Sequence, residues 1–351
     1  MRHTIKVAAV MSAAALALAA CGDSGQTNEG GGASASSAGG KKSDVKVGMA
    51  YDVGGRGDQS FNDAAAAGLD KAKSELGVEA KEATAVDKEP ESAREERLQQ
   101  LIDAGYTHVV AVGFAYAPAV TKVAKANPDV KFALVDSTDA KGDNISNLTF
   151  AENEGSFLVG AAAALKSKAS HIGFVGGVNT DLIKKFEAGY ITGAKAVNKD
   201  IKIDVTYLTQ PPDFSGFGDP AKGKTAAEGM YQGGADVVYH AAGGSGGGVF
   251  TAAKAAGAMA IGVDSDQALT AAPDVKDVII TSMIKKVDVA VYDFIKSEVD
   301  GQFKAGVQVF DLKSGGVDYS TTGGKIDDIK AKLDDYKKQI IDGKLTVPTK
   351  P

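Results

Sequence analysis

The sequence predicts an α/β protein of two doubly wound lobes, each a parallel sheet with helices on both faces. Three observations predict it. Short Val/Ile/Ala-rich runs alternate with helical stretches along the whole body of the chain. The alternation proceeds to about Phe150 and restarts after a junction near Asn153. A body of roughly 300 residues also exceeds what one simple core accommodates, which favours two lobes.

The elements follow in order. Val45 to Tyr51 reads as a strand, followed by a helix from Phe61 to Leu76 and a polar-faced helix from Glu89 to Ala104. His108 to Val112 is a buried strand leading into a helix that ends near Ala126. Val130 to Val135 and Ile145 to Phe150 are further strands, and Gly155 to Leu165 is a small-residue helix. In the second run, strands are expected at His171–Val175, Ile201–Leu208, Ala235–His240, Met259–Val263 and Val278–Met283. Helices are expected at Asp181–Val197, Asp219–Gln232, from the Gly-rich turn to Ala256, at Val287–Val299 and, at the C-terminal end, at Lys325–Ile341. In open α/β sheets ligands bind at the carboxyl ends of strands, so two facing lobes place a site in the cleft between them. Asp52, Gly113, Asp136, Gly176, Gly243 and Asp264 each follow a strand and are expected at its rim.

The first residues have a different character. Arg2 and Lys6 form a positive region, Val7 to Ala20 is an apolar run too short to span a bilayer comfortably, and Leu18-Ala19-Ala20-Cys21-Gly22 ends it. Residues 1–20 therefore read as a signal peptide. The small-small-Cys ending resembles a bacterial lipobox, which makes Cys21 the lipidation site, carrying acyl chains such as palmitate. As the single cysteine in the chain, Cys21 also leaves no partner for a disulfide. Residues 21–43 then form a Gly/Ser/Ala-rich flexible tether. The expected location is the extracytoplasmic face of the cell membrane. The formal charge is −6, and loss of Arg2 and Lys6 with the leader makes it two units more negative. This argues against nucleic-acid binding, which needs a basic face. Four histidines, one of them in the leader, leave little for a zinc site, and the acidic residues show no metal-ligand spacing.

Two segments carry competing readings. Gly243-Gly244-Ser245-Gly246-Gly247 matches the nucleophile-elbow pattern between a strand and a helix, but no histidine follows His240 to complete a triad in that order. The other reading is a Gly-rich turn that lets backbone approach a ligand at a helix N-terminus. Asp52 to Asn62 joins the first strand to the first helix. Ser60 with Asp63 reads there as a capping box and Phe61 as a core residue, yet the same turn points into the cleft. In the second run, Asp219 as N-cap and Pro220 at the first helical position start a helix, with Phe217 just before them as either a staple or a ligand contact.

Gly57-Asp58-Gln59-Ser60-Phe61-Asn62, Glu152 to Gly160, Gly216 to Lys224, Gly262 to Gln267 and Thr281 to Lys285 together resemble the basic membrane protein family of substrate-binding lipoproteins, which includes the purine nucleoside receptor A-type proteins. The resemblance covers nearly the whole chain after the tether. It implies a type I periplasmic-binding-protein-like fold, with a hinge joining one lobe (44–152 plus about 284–303) to another (153–283 plus about 304–351). It implies a nucleoside ligand, purine nucleosides foremost, captured without a covalent step for an ABC importer whose permease and ATPase are separate subunits. Phe61 and Phe217 would sandwich the base, and Asp52, Asn62 and Asp136 would present polar groups to base or ribose. Asp264 would accept from ribose hydroxyls and Lys285 donate to them, while Gly243 and Gly244 would admit backbone contact. Phe114 and Phe186 stand as secondary candidates. The expected protein is a monomer without cofactor. A sugar or other small-molecule binder, a sensor, and a nucleoside hydrolase are the competing functions.

Overall fold

The computed structural model describes residues 43–351; the leader, Cys21 and the tether up to Lys42 lie outside the described residues. The strands, in chain order, are β1 (Lys46–Tyr51), β2 (Glu79–Thr84), β3 (His108–Ala111), β4 (Lys131–Val135), β5 (Ile145–Phe150) and β6 (His171–Val178). They continue with β7 (Lys202–Thr209), β8 (Val237–Ala241), β9 (Met259–Asp264), β10 (Ile279–Lys285), β11 (Gly306–Phe310) and β12 (Val317–Tyr319). The helices are α1 (Phe61–Leu76), α2 (Glu91–Asp103), α3 (Ala117–Ala126), α4 (Glu152–Lys166), α5 (Asp181–Val197), α6 (Pro220–Gln232), α7 (Gly246–Ala256), α8 (Gln267–Thr270), α9 (Val287–Val299) and α10 (Lys330–Ile341).

Two six-stranded sheets result, in the orders β11-β5-β4-β3-β1-β2 and β12-β10-β9-β8-β6-β7. All pairings are parallel except β12 against β10. The two orders are the same pattern read twice, so β4 and β9 occupy equivalent third places, and β5 and β10 equivalent second places. Their interiors are apolar: Val109 to Val112 and Phe132 to Val135 in the first lobe, and Ile172, Phe174, Val237 and Ile261 in the second, are fully buried.

The chain crosses between lobes three times. It leaves the first sheet after β5 and enters α4, which packs on α5 and β10 of the second lobe. It returns after β10 into α9, which packs on α1, and crosses again between β11 and β12. The third crossing corrects the division expected from the sequence. Residues 306–310 pair with β5 as the edge of the first sheet, so the first lobe extends to Phe310 rather than ending near 303. Glycines make one of these junctions possible. A Cβ at Gly189 or Gly193 of α5 would lie 2.1 Å or 2.0 Å from a carbonyl oxygen of α4, so the two helices meet backbone to backbone.

Helix starts follow the local chemistry, with one correction. Asp219 caps α6, its carboxylate accepting from Lys222 N at 3.0 Å. At α1 the predicted Ser60 cap is absent. Asp58 takes that role, accepting from the backbone N–H groups of Ser60, Asn62 and Asp63 at 2.8–3.1 Å. Asp63 reaches back to accept from Gly57 N and Gln59 N. The Ser60 hydroxyl is thereby free to point across the cleft.

Candidate functional site

A cavity lies between the carboxyl ends of the two sheets. From the first lobe it is lined by Asp52, Phe61, Asn62, Phe114 and Asp136, and from the second by Phe186, Phe217, Gly243, Asp264 and Lys285. Eight of the nine residues expected to bind ligand therefore line one space, as do both secondary candidates. Gly244 does not line it. It sits where a Cβ would lie 3.5 Å from the Phe217 carbonyl oxygen and 3.8 Å from Asp58 Cβ, at the seam between the lobes.

Each side chain is placed by its strand end. Asp136 follows β4 and Asp264 ends β9, the equivalent places in the two sheets, and both have left-handed backbone, with φ of +70° and +64°. Such a conformation is uncommon for a residue with a Cβ, and Asp tolerates it better than most. The turn aims two carboxylates inward from opposite lobes. Asp52, at the end of β1, accepts from Val53 N at 2.8 Å and lies 3.9 Å from the Arg94 guanidinium. Only glycine fits opposite it: a Cβ at Gly113, whose φ is +108°, would lie 2.4 Å from an Asp52 carboxylate oxygen.

Lys285 is the electrostatic centre. Although 2 % exposed, it reaches from the end of β10 to Asp136 Oδ2 at 2.6 Å and Glu152 Oε1 at 3.2 Å. Its ammonium also lies 5.0–5.5 Å from the ring centres of Phe61, Phe150 and Phe186. Burial works against its charge, but Asp136, Glu152 and Asp264 outweigh burial and hold its pKa above the ordinary lysine value. Burial pushes the carboxyls of Asp52, Asp136 and Asp264 up to about 6, with the Val53 N–H and then Arg94 opposing at Asp52 and Lys285 at the other two.

Glu152 is the residue that sequence reasoning missed. It is 0 % exposed at the start of α4, directly after the first crossing, and binds Lys185 at 3.2 Å as well as Lys285. Its signal was its place in the Glu152 to Gly160 motif, where it reads as an ordinary acidic residue in a helix's first turn. Asn62 lines the cavity, but its amide is engaged within its own loop. Its Oδ1 accepts from Asp52 N, and its Nδ2 donates to Asp58 and to the Val53 carbonyl.

The Gly-rich turn does not present a nucleophile. Ser245 is 0 % exposed; its hydroxyl donates to Gly216 O at 2.7 Å and accepts from Asp219 N at 2.8 Å. His240 bonds Gln267 rather than Ser245, and burial holds its pKa down to about 4. The turn is a splice between α6 and α7. Gly243, with φ of +53°, lies against the Phe217 carbonyl and lets that aromatic turn approach the cavity.

Comparison with known proteins bears on this geometry. The model of a family described as ABC transporter substrate-binding protein, PnrA-like, matches residues 45–350. The ABC transporter nucleoside-binding protein BmpA of Lactococcus lactis is 36 % identical over 366 residues, covering 99 % of each chain. An uncharacterized lipoprotein of Pyrococcus abyssi is 40 % identical over 286 residues, covering 78 % of this chain and 69 % of its own. Among solved structures, the ABC transporter solute-binding protein of Aeropyrum pernix superposes with a TM-score of 0.76 at 31 % identity, covering 87 % of this chain and 93 % of its own.

Proposed function

The chain belongs to the PnrA-like family of ABC transporter substrate-binding proteins, and on that premise we propose that it captures a nucleoside, purine nucleosides foremost, between its lobes. The observation that carries the reading is the shared cavity of Phe61 and Phe217, one ring from each lobe, beside carboxylates and a buried ammonium. Aromatic faces suit a base of any identity, and such stacking is worth about 1–3 kcal/mol per base. Asp136, Asp264 and Lys285 supply acceptors and a donor for ribose hydroxyls. A site built to bond hydroxyls discriminates strongly against analogues that lack them. Asn62 acts differently from the expectation: with its amide spent on Asp52 and Asp58, it fixes the loop that carries Phe61. The name of the Lactococcus relative supports the ligand class.

Capture is a rigid-body closure about the three crossings, with no covalent step. Glu152 and Lys285 stand at two of those crossings, so the hinge and the ligand cradle share one ionic cluster. A permease and an ATPase complete the importer. The chain works as a monomer held at the extracytoplasmic face by acyl groups on Cys21, a reading supported by the lipoprotein name of the Pyrococcus relative.

Calorimetry on the unacylated mature chain tests the ligand. Adenosine, guanosine and inosine are expected to release heat on binding, and ribose and free bases to bind far more weakly. Binding of a free sugar with no response to any nucleoside would replace this reading with that of a sugar carrier.

A further inference from the structure

The lobes also touch beyond the cavity wall. On one side, Gln267 Nε2 donates to Gln59 O at 3.0 Å and Ser265 Oγ donates to Ser60 O at 3.2 Å. Ser60 Oγ donates to Asp264 Oδ2 at 2.7 Å beside them. Gln267 is held rigid for this task. It is 2 % exposed, and its Oε1 accepts from Val263 N and pairs with His240 Nε2, both at 2.9 Å. At another point on the seam, Phe114 of the first lobe meets Phe214 of the second edge to face at 5.7 Å, and the Arg94 guanidinium lies 5.9 Å from the Phe214 ring centre. Gln59, Ser265, Gln267 and Phe214 form no part of the cavity wall, whereas their neighbours Asp264 and Phe114 do, so these contacts are tested at Ser265 and Phe214.

We propose that these two contacts, one polar and one aromatic, hold the ligand-free protein closed for part of the time and thereby set affinity without reading the ligand. The argument is thermodynamic. Apparent affinity scales with the fraction of molecules already in the binding-competent state. Contacts between lobes raise that fraction whether or not the cavity is filled, and they raise it equally for every ligand. Phe61 and Phe217 rank ligands; the clasps scale all of them together. Ser265 and Phe214 are positioning residues in this sense, and neither is needed to bury a core: both are only partly buried.

The proposal rests on the nucleoside reading for its affinity arm only. Small-angle scattering of the unacylated mature chain without ligand is compared with that of Ser265→Ala, Phe214→Ala and the double variant. Both single variants are expected to enlarge the radius of gyration, the double variant most. With adenosine as probe, the dissociation constant is expected to rise about threefold for Ser265→Ala and about tenfold for Phe214→Ala, mainly through faster release. The order of preference among adenosine, guanosine and inosine should not change. Phe214→Leu keeps apolar bulk and loses the ring, so it should behave like Phe214→Ala in scattering while melting like the wild type. Unchanged scattering in all variants overturns the proposal, and so does a reordered nucleoside preference. If the wild type does not bind adenosine, the nucleoside reading falls while the scattering comparison still decides the clasps.

Discussion

Replacing Lys285 with Met tests the electrostatic core of the site. The substitution keeps the side chain's length and removes the ammonium. Asp136 loses its 2.6 Å partner, Glu152 keeps only Lys185, and Asp264 loses the cation that opposes its burial. Breaking a buried ion pair by removing one partner costs about 3–5 kcal/mol, because the remaining charge is left uncompensated. For a body of this size that corresponds to a loss of about 5–8 °C in melting temperature at neutral pH. The pH dependence gives the sharper test. Asp136 and Asp264 already have pKa values raised to about 6, so the folded protein binds protons there before the unfolded chain does. Such groups penalise folding above their folded pKa and cease to do so as pH falls towards the unfolded value near 4. Without Lys285 their pKa values rise further. The deficit of Lys285→Met should therefore be largest at pH 7.5 and clearly smaller at pH 5, read by differential scanning calorimetry of ligand-free protein. An equal deficit at both pH values would mean that lost packing, not stranded charge, causes it. No deficit at all would refute the placement of the ammonium.

Three further outcomes follow. Phe61→Ala and Phe217→Ala should each weaken nucleoside binding tenfold or more while the empty protein melts within a few degrees of wild type; unfolding of both would show them to be core staples. Wild-type affinity should fall as pH drops through about 6, where Asp52, Asp136 and Asp264 take up protons and cease to be pure acceptors. A flat calorimetric profile from pH 7.5 to 5 would remove these carboxylates from the ligand. Cys21→Ala should leave nucleoside affinity intact and abolish membrane retention in cell fractionation; a variant that stays in the membrane fraction would place the anchor elsewhere.

Much of this was legible in the sequence because parallel strands buried on both faces leave continuous apolar runs, as in Val109 to Val112 and Phe132 to Val135. The strands that escaped reading are edges. β2, Glu79-Ala80-Lys81-Glu82-Ala83-Thr84, carries charges on a half-exposed strand and lacks an apolar run. β11 alternates exposed and half-buried residues at the opposite edge, and without an apolar run to mark it, it groups on sequence alone with the whole segment from about 304 onward in the second lobe. Within the site, the aromatic and acidic lining followed from strand-end positions and family motifs. Partners did not. Whether Ser60 caps its own helix or crosses to Asp264 depends on Asp58 being two residues upstream and better placed. That Lys285 pairs with Asp136 and Glu152 depends on three segments far apart in sequence converging at the hinge, which no local pattern encodes.

The triple crossing governs how the molecule is made. The first lobe's sheet closes only when β11 arrives, and α1 gains its packing partner α9 some two hundred residues after it is synthesised. Neither lobe is a segment that emerges whole from the ribosome. The early strands must wait, incomplete, until nearly the entire second lobe has passed. A chain truncated before Gly306 would lose an edge of the lobe whose synthesis began first, and the two halves cannot be exchanged between relatives by joining them at a single point.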